Sequence, residues 1–138
     1  MADELKALVT VHAWVVHGED GLDELTTTGT TRVLEVRDGR INAFDVQPED
    51  AGLPRATLAA LKGGDPAHNT AALQGVLAGA KNAYRDIVVL NAAAALVVGG
   101  RAKSLRAGAD MASAALDSGR AQTVLERLID VSNRSDHG

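Results

Sequence analysis

The chain changes character at Pro48, and this restricts its fold more than any other feature. Before it, Val, Ile and Thr cluster in short runs, and after it Ala, Leu and Gly dominate. β-Branched residues suit extended backbone, whereas Ala and Leu are strong helix formers. A chain divided in this way predicts strands first and helices after, hence helices packed on a small sheet. Trp, Tyr and Phe occur once each in 138 residues, so the core must be filled by Ala, Val, Leu and Ile, which suits close helix packing. The same scarcity removes the aromatic platforms on which single-stranded nucleic acid stacks.

Residues 2–9 read as a short helix with Leu5, Leu8 and Val9 on one face, and residues 11–16 as a buried strand around Trp14. Two strand-like runs, 31–37 and 40–46, flank Asp38-Gly39, whose tolerance of positive φ signals a type I′ hairpin. Asp65-Pro66 reads as an N-cap with proline at the first helical position, followed by a stripe of Leu73, Val76, Leu77 and Ala80. Residues 84–98 are apolar nearly all round, which predicts a helix buried on most sides and ended by Gly99-Gly100. Ser104 can cap a helix carrying Leu105, Ala109, Ala112 and Leu116 up to Gly119, and Ala121, Val124, Leu125, Leu128 and Val131 mark another. Residues 132–138 have no apolar face and are expected to fray. The reading is one α/β domain over residues 1–131 with a short tail.

A formal net charge of −4 gives no basic footprint for a nucleic-acid backbone. There is no cysteine, which excludes disulfides and thiolate metal sites. The opening residues carry acids where a signal peptide needs a basic start and an apolar stretch. Apolar runs such as 87–98 are too short to span a bilayer. No nucleic acid, no membrane and a cytoplasmic location are the expectations.

Glu19, Asp20, Asp23 and Glu24 place four carboxylates within six residues, after an apolar run and before Thr26-Thr27-Thr28-Gly29. Local chemistry leaves two readings open. One is a solvated turn leading into an acidic helix start. The other is a Mg²⁺ site at the carboxyl end of a strand, since Mg²⁺ is held through one or two carboxylates plus substrate phosphates. Within the second, Asp23 and Glu24 stand out, because Gly21 supplies the turn and Leu22 and Leu25 can anchor the pair.

Other motifs carry less chemistry. Gly63-Gly64 before Asp65-Pro66 lacks a phosphate-loop pattern and reads as helix punctuation. His12, His17, His68 and His137 show no zinc-ligand spacing, although His17 closes the strand beside the acidic turn. Asn91, in an apolar helix, reads as a buried amide bridging helices or backbone.

Several segments in order resemble one family. They are Ala13-Trp14-Val15-Val16-His17-Gly18, Gly21-Leu22-Asp23-Glu24-Leu25 with its threonines, Pro48-Glu49-Asp50-Ala51-Gly52-Leu53-Pro54-Arg55-Ala56, Gly63-Gly64-Asp65 with Asn69, residues 84–96 through Asn91-Ala92-Ala93, and Asp117-Ser118-Gly119. Together they are similar to the C-terminal part of anthranilate phosphoribosyltransferase, whose members transfer the phosphoribosyl group of phosphoribosyl pyrophosphate to anthranilate in tryptophan biosynthesis. The resemblance implies a partial, mostly parallel sheet with a β-hairpin and packed helices, like the C-terminal half of the nucleoside phosphorylase/phosphoribosyltransferase catalytic domain. It also implies that Asp23 and Glu24 hold Mg²⁺ on the pyrophosphate.

Members of that family are more than twice this length. The dimer-forming helical domain, the glycine-rich diphosphate loop, a metal-ligating serine and the anthranilate-binding residues all belong to the part that precedes the match. Thr30 and Asn82 depart from the usual proline and glycine. The expectation is therefore a Mg²⁺-pyrophosphate half-site, inactive alone, with anthranilate bound only if the N-terminal part is supplied. Two alternatives stand beside it. One is a non-catalytic interaction or regulatory module, open to self-association through an exposed sheet edge. The other is a related phosphoribosyltransferase or nucleoside phosphorylase with another acceptor.

Overall fold

The computed structural model describes residues 12–135. The helix expected over residues 2–9, and with it Val11 and His137, lie outside the described residues. Three strands, β1 (His12–Gly18), β2 (Thr31–Arg37) and β3 (Arg40–Val46), form a sheet in the order β1-β2-β3. Four helices follow: α1 (Pro66–Leu77), α2 (Ala83–Val98), α3 (Leu105–Asp117) and α4 (Arg120–Ser135). Short 3₁₀ turns at Pro48–Ala51 and Leu58–Leu61 bridge the two halves. The switch at Pro48 therefore divides sheet from helices as expected, and the α/β class holds.

The expected mostly parallel sheet is corrected. Both strand pairs among the described residues are antiparallel, β1 with β2 from His12↔Arg37 to Gly18↔Thr31 and β2 with β3 from Thr31↔Val46 to Arg37↔Arg40. A parallel return needs a crossover, usually a helix, and residues 19–30 form none. They fold back as a loop closed by Glu19 N–H donating to the Thr30 carbonyl at 3.0 Å, which leaves β2 running against β1. The β2–β3 hairpin turns through Asp38 and Gly39 at φ of 51° and 76°, the left-handed pair of a type I′ turn. β1 also differs from the buried strand expected: residues 12–16 are half-buried, because β2 is its one strand neighbour among the described residues.

The core lies between one face of the sheet and α2. Val33 and Val46 meet Val89, Leu90, Ala93 and Ala94, with Trp14, Val16 and Phe44 packed at the margin. Trp14 and Phe44 make an edge-to-face contact at 5.3 Å. α3 crosses α2 at backbone distance: a Cβ on Gly108 would stand 2.8 Å from the Ala93 carbonyl oxygen and 2.9 Å from its Cα. That is the close packing a core poor in aromatics calls for. Across the same interface the buried Arg85 guanidinium pairs with Asp117 at 2.9 Å.

The helix ends follow the sequence. Asp65, Asn82 and Ser104 each accept a backbone N–H of the first turn of the helix they cap. α1 buries Val76 and leaves Leu73 50% exposed. α4 runs to Ser135, four residues past the point where fraying was expected. An ion pair of Asp130 with Arg134, four residues apart at 2.8 Å, supports its last turn.

On the core-facing side of the hairpin, Glu35 accepts from Trp14 Nε1 at 2.8 Å and lies 2.9 Å from His12 Nε2. Burial alone raises the Glu35 carboxyl, but the hydrogen bonds from His12 and Trp14, with the positive fields of His12 and Arg37, outweigh it and leave it below its ordinary value. A depressed carboxylate contributes stability that is present above its unfolded-state value and lost as pH falls through its folded value. Acid titration of the wild-type chain is therefore expected to lower the melting temperature below about pH 4.5. Glu35→Gln should weaken that dependence, and an unchanged acid slope in the variant would exclude Glu35 as its source.

Candidate functional site

The acidic loop leaves β1 at Gly18 and enters β2 at Thr31. Four carboxylates so close repel one another, and the fold separates them by giving two of them backbone work. Glu19 accepts the Thr30 N–H at 3.0 Å while its own N–H bonds the Thr30 carbonyl. A Cβ at Gly29 would stand 2.5 Å from the Glu19 carboxylate, so glycine there leaves room for this latch. Asp20 accepts the Leu22 N–H at 3.0 Å, an Asx turn that uses the carboxylate locally. Gly18 N–H donates to the Leu22 carbonyl at 2.9 Å, and Gly21 N–H to the Gly18 carbonyl at 3.0 Å.

Asp23 and Glu24 are spared such work, and both are exposed. Glu24 has no hydrogen-bond or ionic partner among the described residues. Asp23 lies 3.3 Å from His17 Nδ1, with the two side chains 91% and 67% exposed, a contact that solvent screens. His17 thus touches Asp23 without being packed in place. The anchoring expected from the flanking leucines holds on one side: Leu25 is 3% exposed and joins the core, whereas Leu22 is 51% exposed.

Behind Leu25 the chain is tied down. Asn91 on α2 accepts the Leu25 N–H and donates to the Leu25 carbonyl, both at 2.9 Å, which bears out its reading as an amide bridging to backbone. Thr26 N–H donates to Thr31 Oγ1 at 3.0 Å, and the Thr27 carbonyl accepts the Ala56 N–H at 2.8 Å. Thr26, Thr27 and Thr31 are fully buried. The sequence reading missed the structural duties of Glu19 and Asp20, for which Gly29 and Gly18 were the available signal.

No group of three or more His, Cys, Asp or Glu among the described residues is arranged to enclose a metal. The donor set still fits Mg²⁺: two exposed, adjacent carboxylates suit an ion that keeps several waters and takes its remaining oxygens from substrate phosphates. The other sequence motifs fall into structural roles. Asn69 bonds both the N–H and the carbonyl of Gly64, at 3.0 and 3.2 Å, and Tyr84 Oη donates to the Lys62 carbonyl at 2.7 Å, so the Gly63-Gly64 segment is punctuation before α1. No described helix is long and apolar enough to cross a membrane.

Comparison with known proteins gives the family and the fold. Residues 1–122 match the sequence family described as glycosyl transferase family, a/b domain. The chain is 58% identical over 135 residues to the anthranilate phosphoribosyltransferase of Methylocella silvestris, covering 98% of this chain and 39% of that enzyme. It is 57% identical over 128 residues to that of Azorhizobium caulinodans, covering 93% and 37%. Among solved structures, anthranilate phosphoribosyltransferase from Thermus thermophilus superposes with a TM-score of 0.82 at 42% identity, over 91% of this chain and 37% of that one. The Saccharomyces cerevisiae enzyme in complex with PRPP and Mg gives 0.82 at 27% identity, over 94% and 39%. The chain thus spans about two fifths of the length of the curated relatives it matches. With the sequence match and the fold in agreement, the chain belongs to the glycosyl transferase family, in its α/β domain.

Proposed function

We propose that the chain serves phosphoribosyl transfer from phosphoribosyl pyrophosphate to anthranilate, in tryptophan biosynthesis in the cytoplasm, by supplying the Mg²⁺-pyrophosphate half of the site. The observation that carries this reading is the pair Asp23 and Glu24, free of backbone duty in a loop whose other two carboxylates, Glu19 and Asp20, are bonded to backbone N–H groups. The identity with anthranilate phosphoribosyltransferases, over nearly the whole chain, supports it.

In such a transfer the C1–O bond breaks as positive charge grows on the ribose and negative charge on the departing pyrophosphate. Mg²⁺ held by Asp23 and Glu24 would supply electrostatic stabilisation of that leaving group. Glu19, Asp20 and Asn91 keep the loop in place, and the exposed pair presents its oxygens outward. The acceptor and the ribose are left to the N-terminal remainder of the family fold, so the chain is inactive alone.

Isothermal titration of the chain with Mg²⁺ in the presence of pyrophosphate is expected to show binding that Asp23→Asn combined with Glu24→Gln abolishes. Equal affinity in the wild-type chain and this variant would remove the metal role. Mixing the chain with phosphoribosyl pyrophosphate, anthranilate and Mg²⁺ is expected to give no phosphoribosyl anthranilate by fluorescence, and ordinary turnover would refute the half-site reading.

A second reading rests on β1. Its outer edge has no strand partner among the described residues, and Trp14, Val15 and Val16 line a hollow of about 370 Å³ that Asp23 borders. An open apolar edge is a template for strand addition, so the chain would pair with a partner or with itself there. Sedimentation should then show concentration-dependent dimers that Val15→Lys disperses. A monomer at all concentrations excludes the self-paired form.

A further inference from the structure

The loop that carries Asp23 and Glu24 is held from the helical layer by one side chain. Asn91 Oδ1 accepts the Leu25 N–H and Asn91 Nδ2 donates to the Leu25 carbonyl, each at 2.9 Å. Nδ2 also donates to the Ile87 carbonyl one turn back in α2, at 2.9 Å. That third bond fixes the rotamer of the amide and distinguishes its nitrogen from its oxygen. The helix thus presents an acceptor and a donor side by side, and a strand-like stretch of loop docks on them as on a neighbouring strand.

The position of this contact matters more than its strength. The Leu25 N–H belongs to the peptide plane that joins Glu24 to Leu25, and a peptide plane is rigid. Asn91 therefore fixes the backbone immediately behind Glu24. On the other flank the Leu22 carbonyl, which belongs to the plane joining Leu22 to Asp23, accepts the Gly18 N–H at 2.9 Å. The peptide between Asp23 and Glu24 is suspended between two fixed planes, one tied to the start of the loop and one tied to α2.

Satisfying buried backbone groups would by itself make Asn91 a structural residue, since Leu25 is 3% exposed and its polar groups need partners. Two facts take it further. The group it holds adjoins a carboxylate that has no partner of its own among the described residues. The element it comes from is the most deeply packed helix, so that carboxylate takes its position from the core and not from a surface turn.

We infer that Asn91 is a positioning residue for the divalent cation held by Asp23 and Glu24, acting through the Glu24–Leu25 peptide. This rests on the proposed Mg²⁺-pyrophosphate role of the pair. Partners of this outer kind commonly alter metal affinity by about 10- to 100-fold when removed. Asn91→Ala keeps a strong helix former in α2 and removes the acceptor and donor together. Aspartate would accept without donating, and glutamine would be one methylene too long.

The test uses the full 138-residue chain, titrated with Mg²⁺ in the presence of pyrophosphate, with amide hydrogen exchange read at Leu25. Asn91→Ala is expected to weaken Mg²⁺ binding by about 10-fold or more and to speed exchange at Leu25. Val36→Ala, in the buried far end of β2, serves as a control for lost stability and is expected to keep wild-type affinity. If Asn91→Ala does not fold, Asn91→Ser is read in its place. Wild-type affinity in the Asn91 variant, or an equal loss in Val36→Ala, overturns the inference while leaving the role of the pair intact. A wild-type chain whose pyrophosphate binding does not depend on Mg²⁺ overturns both.

Discussion

The closeness with which α2 can approach its neighbours governs this structure. Val89, Leu90, Ala93 and Ala94 are buried against the sheet and α3, and at Gly108 the approach is so close that a single methyl would press on the backbone of Ala93. A core with its few aromatics only at the margin gains its packing by bringing backbones together, because dispersion contacts accumulate only where surfaces meet without gaps. The consequence reaches the acidic loop. Asn91 follows Leu90 on this same helix, so the tightness that buries Leu90 also fixes where the Asn91 amide can point. A helix free to shift by an ångström could not hold both groups of Leu25 at hydrogen-bonding distance.

What could be read from the sequence was local. Asp38-Gly39 announces its turn because the backbone conformation required there suits few other residues. Asp65, Ser104 and Gly99-Gly100 mark helix ends because their bonds close within a few residues. The direction of the sheet was not legible, since a 12-residue connection can be a crossover or a fold-back, and Glu19 meeting Thr30 decides it here. The half-buried state of β1 depends on how many strands lie beside it, which no pattern within the strand encodes. α4 continues to Ser135, beyond Val131, and an exposed pair of Asp130 with Arg134 lies along its last turn.

The candidate site was legible by the same rule. That carboxylates crowd between glycines is plain from the residues, but their division of labour is not. Glu19 and Asp20 are indistinguishable in kind from Asp23 and Glu24 until their backbone partners are seen. The narrowing to Asp23 and Glu24 came from turn geometry and the family resemblance. The structure places the two acids with no backbone duty at those positions. Asn91 could be read as a polar group needing partners, yet the partner lies 66 residues away in sequence, a contact fixed by tertiary packing alone.

The exposure of the pair has a physical reason and a consequence. Two adjacent carboxylates repel each other weakly in water, where the interaction of unit charges is divided by a dielectric constant near 80, and about four times more strongly at the value of about 20 typical of protein surfaces. Left uncovered, Asp23 and Glu24 repel each other through water, so exposure keeps the cost of their proximity low. Anything that covers the loop raises their repulsion and, by the same factor, their attraction for a divalent cation. Under the metal role proposed for the pair, cation and covering surface would favour each other: the pair on its own would hold Mg²⁺ weakly, and the phosphates that share the ion, with whatever protein closes over them, would supply the rest of the affinity.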